Sequence, residues 1–268
     1  MEGAQISFSA GTMLGYFISG AVYALLPITA FLLLKRAGTA RLWPAIVGAV
    51  VYFLTTRLSD FFAYIFGACQ DHAVKAAISA ELVCIFEELG RCLAMRYPVT
   101  NIKAMNSAVC YGIGHGGLEC LIRGAAAFRV MGYGSRLSSR GSDSFTAGKS
   151  PEKAAQITER LAELADHPLY LSLISSVHSI STFGVHIALS LLIFVKVRET
   201  GQLRWLMAAI GLHYFMNGTA WALSFAGAPL LSEIMGIACG GAVIALVCRI
   251  IRIRGRFDQI IYPELFGD

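Results

Sequence analysis

The sequence predicts an all-α fold, a polytopic membrane bundle of about seven transmembrane helices. Composition is the first observation behind this prediction, since 56% of the residues are hydrophobic, 15% are charged and the mean hydropathy is +0.63. Soluble domains carry about 25% charged residues. The second observation is a series of apolar segments of about 20 residues, the length needed to cross a hydrocarbon core of about 30 Å. The third is the placement of basic residues in alternate connections, which is typical of membrane proteins.

Seven apolar segments are long enough to span a membrane, and in chain order they cover about 6–34, 43–66, 74–95, 104–126, 169–195, 204–224 and 229–249. We expect a single transmembrane domain over residues 1–268, with a soluble loop and a short helix at about 127–168. The Gly- and Ser-rich stretch from Tyr133 to Ser150 predicts a flexible loop. Ser150, Pro151 and Glu152 then predict the start of the short helix, because a Ser N-cap, a proline and an early acid favour helix initiation.

Basic residues in the short connections predict the orientation of the bundle. They follow the first, third, fifth and seventh segments: Lys35, Arg36, Arg41, Arg96, Lys103, Lys196, Arg198, Arg204, Arg249, Arg252, Arg254 and Arg256. All lie on one side if seven helices alternate, and positive charge marks the cytoplasmic side. The amino terminus is therefore predicted outside and the carboxyl terminus inside. Topology and lipid contact explain the net charge of +5, and no nucleic-acid partner is predicted because the arginines form no compact basic face.

Ionisable residues in the middle of four predicted spans form the candidate site. A charged side chain at the bilayer centre costs about 2.5–3.5 kcal/mol, so such residues usually belong to a functional site. Counted from the nearest cytoplasmic basic residue, Glu87 and the three histidines lie nine to twelve residues away, which places them in one layer about 14–18 Å deep, with Glu88 beside Glu87. His178 would lie about 27 Å up and is predicted to have a packing role. The members of the layer are Glu87, Glu88, His115, His186 and His213.

Each member of the layer has a polar neighbour one helical turn away, on the same helix face. The pairs are Glu87 with Arg91, His115 with Glu119, His186 with Ser190, and His213 with Asn217. Acids and imidazoles are the usual groups for water activation and metal binding. Three imidazoles leave an open position on a zinc ion, the pattern of catalytic sites. Equally, His213 and Asn217 could donate hydrogen bonds to an oxyanion without a metal, and the sequence leaves both mechanisms open.

Glycines surround one of the histidines of the layer. Gly112, Gly114, Gly116 and Gly117 flank His115, and small residues allow membrane helices to approach closely. The stretch also fits G-x-G-x-x-G, but no strand precedes it, so a dinucleotide site is not predicted. We expect close helix packing, or room for a substrate beside the histidine.

Three of these motifs together resemble the signatures of the CAAX-type prenyl endopeptidase and bacteriocin-processing superfamily. The motifs are Glu87-Glu88-x-x-Arg91, Tyr111-x-x-x-His115 and His213-x-x-x-Asn217. With His115-Gly-Gly-x-Glu119 and His186-x-x-x-Ser190 added, the chain most resembles the YhfC family of intramembrane metalloproteases over roughly residues 40–250. The superfamily spacing is EExxxR with a phenylalanine before the histidine. This chain has EExxR and a tyrosine.

The resemblance implies a membrane endopeptidase in which an acid activates water. Glu87 or Glu88 would be the base, and Arg91 would fix the acid. Histidines would bind a metal, with zinc the expected cofactor, and Asn217 would complete the metal or oxyanion site. The metal ligands expected from the residues and the resemblance are His115, His186, His213 and Glu119.

The predicted partners are membrane lipid and a membrane-associated peptide or protein substrate. The resemblance also implies a multi-pass protein of the bacterial plasma membrane. Two other classes of function remain open from the sequence. One is a non-catalytic membrane scaffold that uses the polar layer for helix packing, and the other is an ion or proton transporter, since buried acids and histidines also form relays.

Overall fold

The computed structural model describes residues 6–66, 72–97, 100, 102–198 and 200–251, and these residues form helices and short connections with no strand. The predicted all-α class is therefore confirmed. A π-helical turn, Ile193–Arg198, continues the seventh helix. The helices are α1 (Ala10–Arg36), α2 (Leu42–Phe66), α3 (His72–Arg96), α4 (Met105–Arg140), α5 (Asp143–Thr146), α6 (Pro151–Ala165), α7 (Leu169–Leu192), α8 (Arg204–Phe225) and α9 (Pro229–Ile251).

Four of these helices are long and apolar enough to cross a membrane: α1, α2, α7 with its π-helical extension, and α9. The helices α3, α4 and α8 have 25, 36 and 22 residues, so they are also long enough to span. They carry most of the acids and histidines of the predicted layer, which makes them less apolar. The count of seven spans and the orientation of the termini stay predictions. Cys69 and the basic residues 252–256 lie outside the described residues.

The long connection differs from the prediction in its first part. Helix α4 continues to Arg140, so residues 133–140 are helical and the predicted flexible loop is wrong there. Burial of Ala127 and Leu137 explains the extension, because apolar contacts outweigh the weak helix propensity of the Gly and Ser residues. Gly141 ends the helix with a φ of 70°, and its N–H donates to the Leu137 carbonyl at 2.9 Å.

The predicted short helix is present as α6. Its N-cap residue is Ser150, whose side-chain oxygen accepts a hydrogen bond from the Lys153 N–H at 3.3 Å. Pro151 is the first residue of the helix, where its missing N–H costs nothing.

The chain divides into two compact units. The first comprises Met1–Leu25 and Leu121–Val177, and the second comprises Leu26–Cys120 and His178–Asp268. Within the first unit, hydroxyl groups join α1 to α7: Ser19 donates to the Ser172 carbonyl at 3.1 Å, and the Tyr23 and Ser175 hydroxyls lie 3.1 Å apart. The expectation of a single transmembrane domain stays a prediction. Every residue of the predicted layer belongs to the second unit.

Close helix packing around the glycines of α4 is confirmed in the second unit. A Cβ at Gly112 would lie 2.7 Å from the Ile187 Cα of α7, and one at Gly116 would lie 3.1 Å from the His186 side chain. A Cβ at Gly114 would overlap the Ala45 carbonyl of α2. Gly48 of α2 meets α4 in the same way, at the Tyr111 carbonyl. The glycines therefore bring α2 and α7 against the turn that carries His115.

Candidate active site

Side chains from four helices meet in the interior of the second unit, as the shared depth predicted. Helix α3 contributes Glu87, Glu88 and Arg91, α4 contributes His115 and Glu119, α7 contributes His186, and α8 contributes His213 and Asn217. The acids, the arginine and the three histidines of this group are almost fully buried, apart from the partly exposed Glu119. Buried charges persist only when they are paired and hydrogen-bonded, so the contacts among them decide what the cluster can do.

The Glu88 carboxylate accepts hydrogen bonds from two side chains, Arg91 and His213. Arg91 Nη1 donates to both carboxylate oxygens, at 2.9 and 3.0 Å. His213 Nδ1 lies 2.9 Å from the same Oε1 atom. A carboxylate bound by both of its oxygens to a guanidinium is held ionised and fixed in orientation. Glu88 therefore anchors Arg91 and His213, and both of its oxygens are engaged with Arg91.

Glu87 has a different environment, although it is the next residue in the chain. Its Oε2 atom lies 3.0 Å from His115 Nε2 and 3.9 Å from His213 Nε2. The carboxylate thus lies between two imidazoles that face it through their Nε2 atoms. Such a group can exchange a proton with its surroundings without breaking a salt bridge to arginine.

His186 bridges the α3 and α4 parts of the cluster. Its Nδ1 atom lies 3.1 Å from Arg91 Nη2, and its Nε2 atom lies 2.8 Å from Glu119 Oε2. Its ring centroid is 4.9 Å from that of His115 and 5.4 Å from that of His213. The position of this one ring therefore affects both of the imidazoles beside Glu87.

The contacts of these side chains include some that the one-turn spacing did not predict. Arg91 forms a salt bridge with Glu88, because the residue three positions back also lies on the same face. Glu119 contacts His186 of α7. Ser190 donates to the His186 backbone carbonyl at 2.6 Å. Contacts between helices therefore hold the cluster together alongside those within one helix.

Asn217 reaches the cluster through Cys84 of α3, a residue outside the predicted layer. Asn217 Nδ2 lies 3.8 Å from Cys84 Sγ, a long contact of the kind that thiols accept weakly. Cys84 is fully buried and lies one helical turn before Glu87 and Glu88. That spacing was the available signal, since residues three and four apart share a helix face.

Two tyrosines enclose His115. The Tyr111 ring stacks on it at a centroid distance of 5.9 Å, and the Tyr52 ring meets it edge-on at 5.3 Å. The first follows from the Tyr111-x-x-x-His115 motif, but Tyr52 lies on α2 and was not predicted. The His115 Nδ1 atom is buried without a hydrogen-bond partner. A buried imidazole with an unsatisfied nitrogen is unusual in a site that serves packing alone.

His178 lies outside the cluster, in agreement with the packing role predicted for it. Its Nδ1 atom lies 2.7 Å from Glu233 Oε2 of α9. Its ring occupies the space left by the missing side chain of Gly236. The pair joins α7 to α9 and provides a histidine–carboxylate contact in the same protein that does not involve the cluster.

The donor set is compatible with a metal ion. One ligand atom from each of Glu87, His115 and His186 can be chosen so that all three lie within 4.8 Å of one another. Carboxylate oxygen and imidazole nitrogen are common zinc ligands. His213 Nε2 also faces Glu87, which makes it a fourth candidate. The residues therefore fit a zinc-type ion. Glu87 and His115 belong to the ligand set whether the further imidazole is that of His186 or of His213.

Comparisons with known proteins were made with the whole chain. A family model described as YhfC intramembrane metalloprotease matches residues 22–238, a range that contains every residue of the cluster. The chain is 28% identical over 210 residues to the uncharacterized membrane protein YhfC of Bacillus subtilis (strain 168). This match covers 75% of the chain and 80% of that protein. No solved structure matches.

Proposed function

We propose, on the premise that this chain belongs to the YhfC intramembrane metalloprotease family, that it is a membrane-embedded endopeptidase. It would hydrolyse peptide bonds of membrane-associated peptides or proteins in the cell membrane, in contact with lipid. The observation that carries the proposal is the environment of Glu87. This carboxylate is buried between the Nε2 atoms of His115 and His213 and is free of the arginine salt bridge that fixes its neighbour.

Glu87 is the general base in this proposal. A base must accept a proton from water and then deliver it to the leaving amine, so at least one of its oxygens must be outside a strong ion pair. Glu88 fails this requirement because both of its oxygens accept bonds from Arg91. The choice between the two glutamates, which the sequence left open, is therefore made in favour of Glu87 on hydrogen-bonding grounds.

Zinc is the proposed cofactor, held by His115, a further imidazole of the cluster and one oxygen of Glu87, whose other oxygen would act as the base. A bound zinc ion would lower the pKa of its water toward about 7 and polarise the peptide carbonyl. The protein groups have separate tasks. Glu87 takes the proton of the attacking water, and Arg91 holds Glu88, which orients His213. Asn217 would donate from its amide to the oxyanion, because its weak bond to Cys84 is easily exchanged for a stronger one.

Burial of the cluster supports hydrolysis at a membrane-embedded site. The histidines, Glu87 and Glu88 are each no more than 2% exposed. Hydrogen bonds and charges act more strongly in such a low-dielectric environment than in water. The segment around a scissile peptide bond must be extended to reach these groups. The proposed substrates therefore present an unfolded segment at the membrane.

A glutamate-to-glutamine comparison tests the proposal. The purified protein is reconstituted in liposomes with a synthetic library of lipid-anchored peptides, and cleavage products are identified by mass spectrometry. Glu87→Gln removes the base and should lower cleavage about 10²–10⁴-fold. The matched control is Glu233→Gln, which alters the His178 pair outside the cluster and should retain cleavage.

The stability of both variants is measured alongside cleavage, so that unfolding is not mistaken for loss of the base. Equal cleavage by wild type and Glu87→Gln would contradict the assignment of Glu87. Cleavage that zinc chelation does not reduce would contradict the proposed cofactor while leaving a glutamate-dependent protease.

A further inference from the structure

We propose that His186 is a positioning residue outside the metal site, and that His213 supplies the second imidazole ligand beside His115 and Glu87. The metal part of this inference rests on the proposed function. The part that concerns the hydrogen bonds of His186 does not require a metal, so the two can be tested separately.

Arg91 determines the tautomer of His186. A guanidinium has five N–H donors and no acceptor. The Nη2 atom that lies 3.1 Å from His186 Nδ1 must therefore donate, and Nδ1 must accept with its lone pair. A neutral imidazole with an acceptor Nδ1 carries its hydrogen on Nε2. That hydrogen is donated to Glu119 Oε2 at 2.8 Å, so both ring nitrogens are engaged.

This tautomer excludes His186 from metal binding in the observed arrangement. A cation bound at Nδ1 would replace the arginine hydrogen bond and lie beside a guanidinium of the same charge sign. A cation bound at Nε2 would require the hydrogen to move to Nδ1, where it would point at an arginine N–H. Arg91 cannot easily withdraw, because Glu88 holds it through two hydrogen bonds.

His213 has the opposite arrangement. Its Nδ1 atom lies 2.9 Å from an oxygen of Glu88, which can only accept because it is ionised by Arg91. In the neutral imidazole, the hydrogen of His213 is therefore on Nδ1, and Nε2 carries the lone pair, 3.9 Å from the Glu87 carboxylate. Metal-binding histidines commonly donate their other N–H to a carboxylate in this way.

The distances around Glu87 are close to those of a zinc ligand set. Bonds of 2.0–2.1 Å at tetrahedral angles place neighbouring ligand atoms about 3.3 Å apart. The Glu87 Oε2 atom lies 3.0 Å from His115 Nε2 and 3.9 Å from His213 Nε2, on either side of that value. Small side-chain adjustments would bring both of these distances to about 3.3 Å.

Proximity alone favours a different set, since the three ligand atoms that lie within 4.8 Å of one another come from Glu87, His115 and His186. The hydrogen bonds favour the set with His213, because a ligand nitrogen needs a free lone pair and neither nitrogen of His186 has one. Binding through His213 would keep its bond to Glu88, whereas His186 would have to break a bond to a buried arginine.

The proposed role of His186 follows from its two partners. It joins Glu119 to Arg91, Arg91 holds Glu88, and Glu88 orients His213. Removing the His186 ring would free one side of Arg91 and open space between the two ligand histidines. His186 thus acts on the metal site through Arg91 and Glu88.

Substitution by glutamine separates positioning from ligation. In His186→Gln, the side-chain carbonyl can accept from Arg91 and the amide can donate to Glu119, which reproduces both hydrogen bonds of the proposed tautomer. His186→Ala reproduces neither. His213→Gln removes the proposed ligand. Zinc affinity of each purified variant is measured by competition with a chromophoric chelator, and X-ray absorption counts the imidazoles on the bound zinc.

We expect His186→Gln to bind zinc within a few-fold of wild type, with two imidazoles on the metal. His186→Ala should weaken binding about 10–100-fold, as is usual for residues that orient ligands. His213→Gln should bind zinc more weakly than His186→Ala, with one imidazole remaining. Loss of an imidazole in His186→Gln, with none lost in His213→Gln, would overturn the ligand assignment.

Nitrogen NMR of histidine-labelled, metal-free protein tests the tautomer whether or not zinc binds. His186, identified by the signal missing in His186→Gln, should show an acceptor-type Nδ1 and a protonated Nε2. A protonated Nδ1 would overturn the inference. If wild type binds no zinc but shows the expected tautomer, the positioning role of His186 stands and the ligand assignment fails together with the proposed cofactor.

Discussion

At the scale of single residues, two adjacent glutamates have different partners because helix geometry turns their side chains about 100° apart. Glu88 meets Arg91 one turn ahead on α3 and His213 of α8, whereas Glu87 meets His115 of α4. The same chemical group is thus a fixed anchor at one position and the proposed proton acceptor at the next. The difference comes from the neighbouring helices and not from the glutamates themselves.

Removal of the Glu88 charge should destabilise the protein far more than removal of the Glu87 charge. In Glu88→Gln, Arg91 remains fully buried without its counter-ion, which costs about 3–5 kcal/mol. Glu87→Gln leaves no buried arginine unpaired and should cost less than half as much. Unfolding in detergent, monitored by circular dichroism, measures the difference, and equal destabilisation by the two substitutions would contradict the assignment of Glu88 as the anchor.

The candidate residues of the cluster could be predicted from sequence, but their partners could not. Depth along a helix depends only on residue number, so counting from the basic connections placed Glu87, His115, His186 and His213 in one layer. Partner choice depends on the rotation of each helix about its axis and on side-chain rotamers. For that reason the contact between Glu119 and His186 of α7 was not predicted.

At the scale of helices, the crossing of α2 and α4 sets the position of His115. Gly114 of α4 lies against the Ala45 carbonyl, and Gly48 of α2 lies against the Tyr111 carbonyl and 2.9 Å from the His115 nitrogen, measured from an added Cβ. There is no space for a methyl group at either position. Two glycines, one from each helix, therefore determine how closely the helices approach beside the site.

Gly114→Ala should separate α2 from α4 and disturb the contact between His115 and Glu87. Overpacking of this kind costs about 1–3 kcal/mol, and we expect a lower unfolding temperature together with weaker zinc binding. The matched control is Gly241→Ala on α9, where an added Cβ meets nothing within 4 Å. If the two variants had the same unfolding temperature and zinc affinity, the crossing of α2 and α4 would not be what positions His115.

Helix ends in the long connection were harder to predict than the helices themselves. The start of α6 follows from the local signals at Ser150 and Pro151, which act within one turn. The end of α4 depends on burial of Leu137 within the first unit, which no local pattern reveals. Sequence therefore predicts a capped helix start better than the point at which a packed helix stops.

At the scale of the whole molecule, short turns join successive long helices. Gly38, Gly201 and Gly227 have φ values of 71°, 71° and 77° in the connections after α1, after the π-helical turn and after α8. This left-handed conformation favours glycine and closes a helix in a few residues. Turns of this length connect antiparallel neighbours, which agrees with helices that alternate in direction across a membrane.

The predicted orientation follows from the basic residues at these turns and can be measured on intact cells. Single cysteines are introduced at exposed positions by Ala37→Cys, Gln202→Cys and Ala226→Cys, and a membrane-impermeant maleimide is added. If seven helices span the membrane with the amino terminus outside, Ala226→Cys should be labelled in intact cells. The other two variants should be labelled only after permeabilisation, because their turns carry the cytoplasmic basic residues.

Wild-type protein provides the background for this labelling, since five of its cysteines (Cys84, Cys92, Cys110, Cys120 and Cys239) are buried. Labelling of Ala37→Cys and Gln202→Cys in intact cells, with Ala226→Cys protected, would reverse the orientation. In a bundle of seven alternating spans, four helices lie between the turns that carry Ala37→Cys and Gln202→Cys, so both turns must be on the same side. Different labelling of these two variants would therefore contradict seven alternating spans. The orientation also decides the side from which the depth of Glu87 and its imidazoles is counted. After a reversed result, the depth of about 14–18 Å would be counted from the outer face of the membrane.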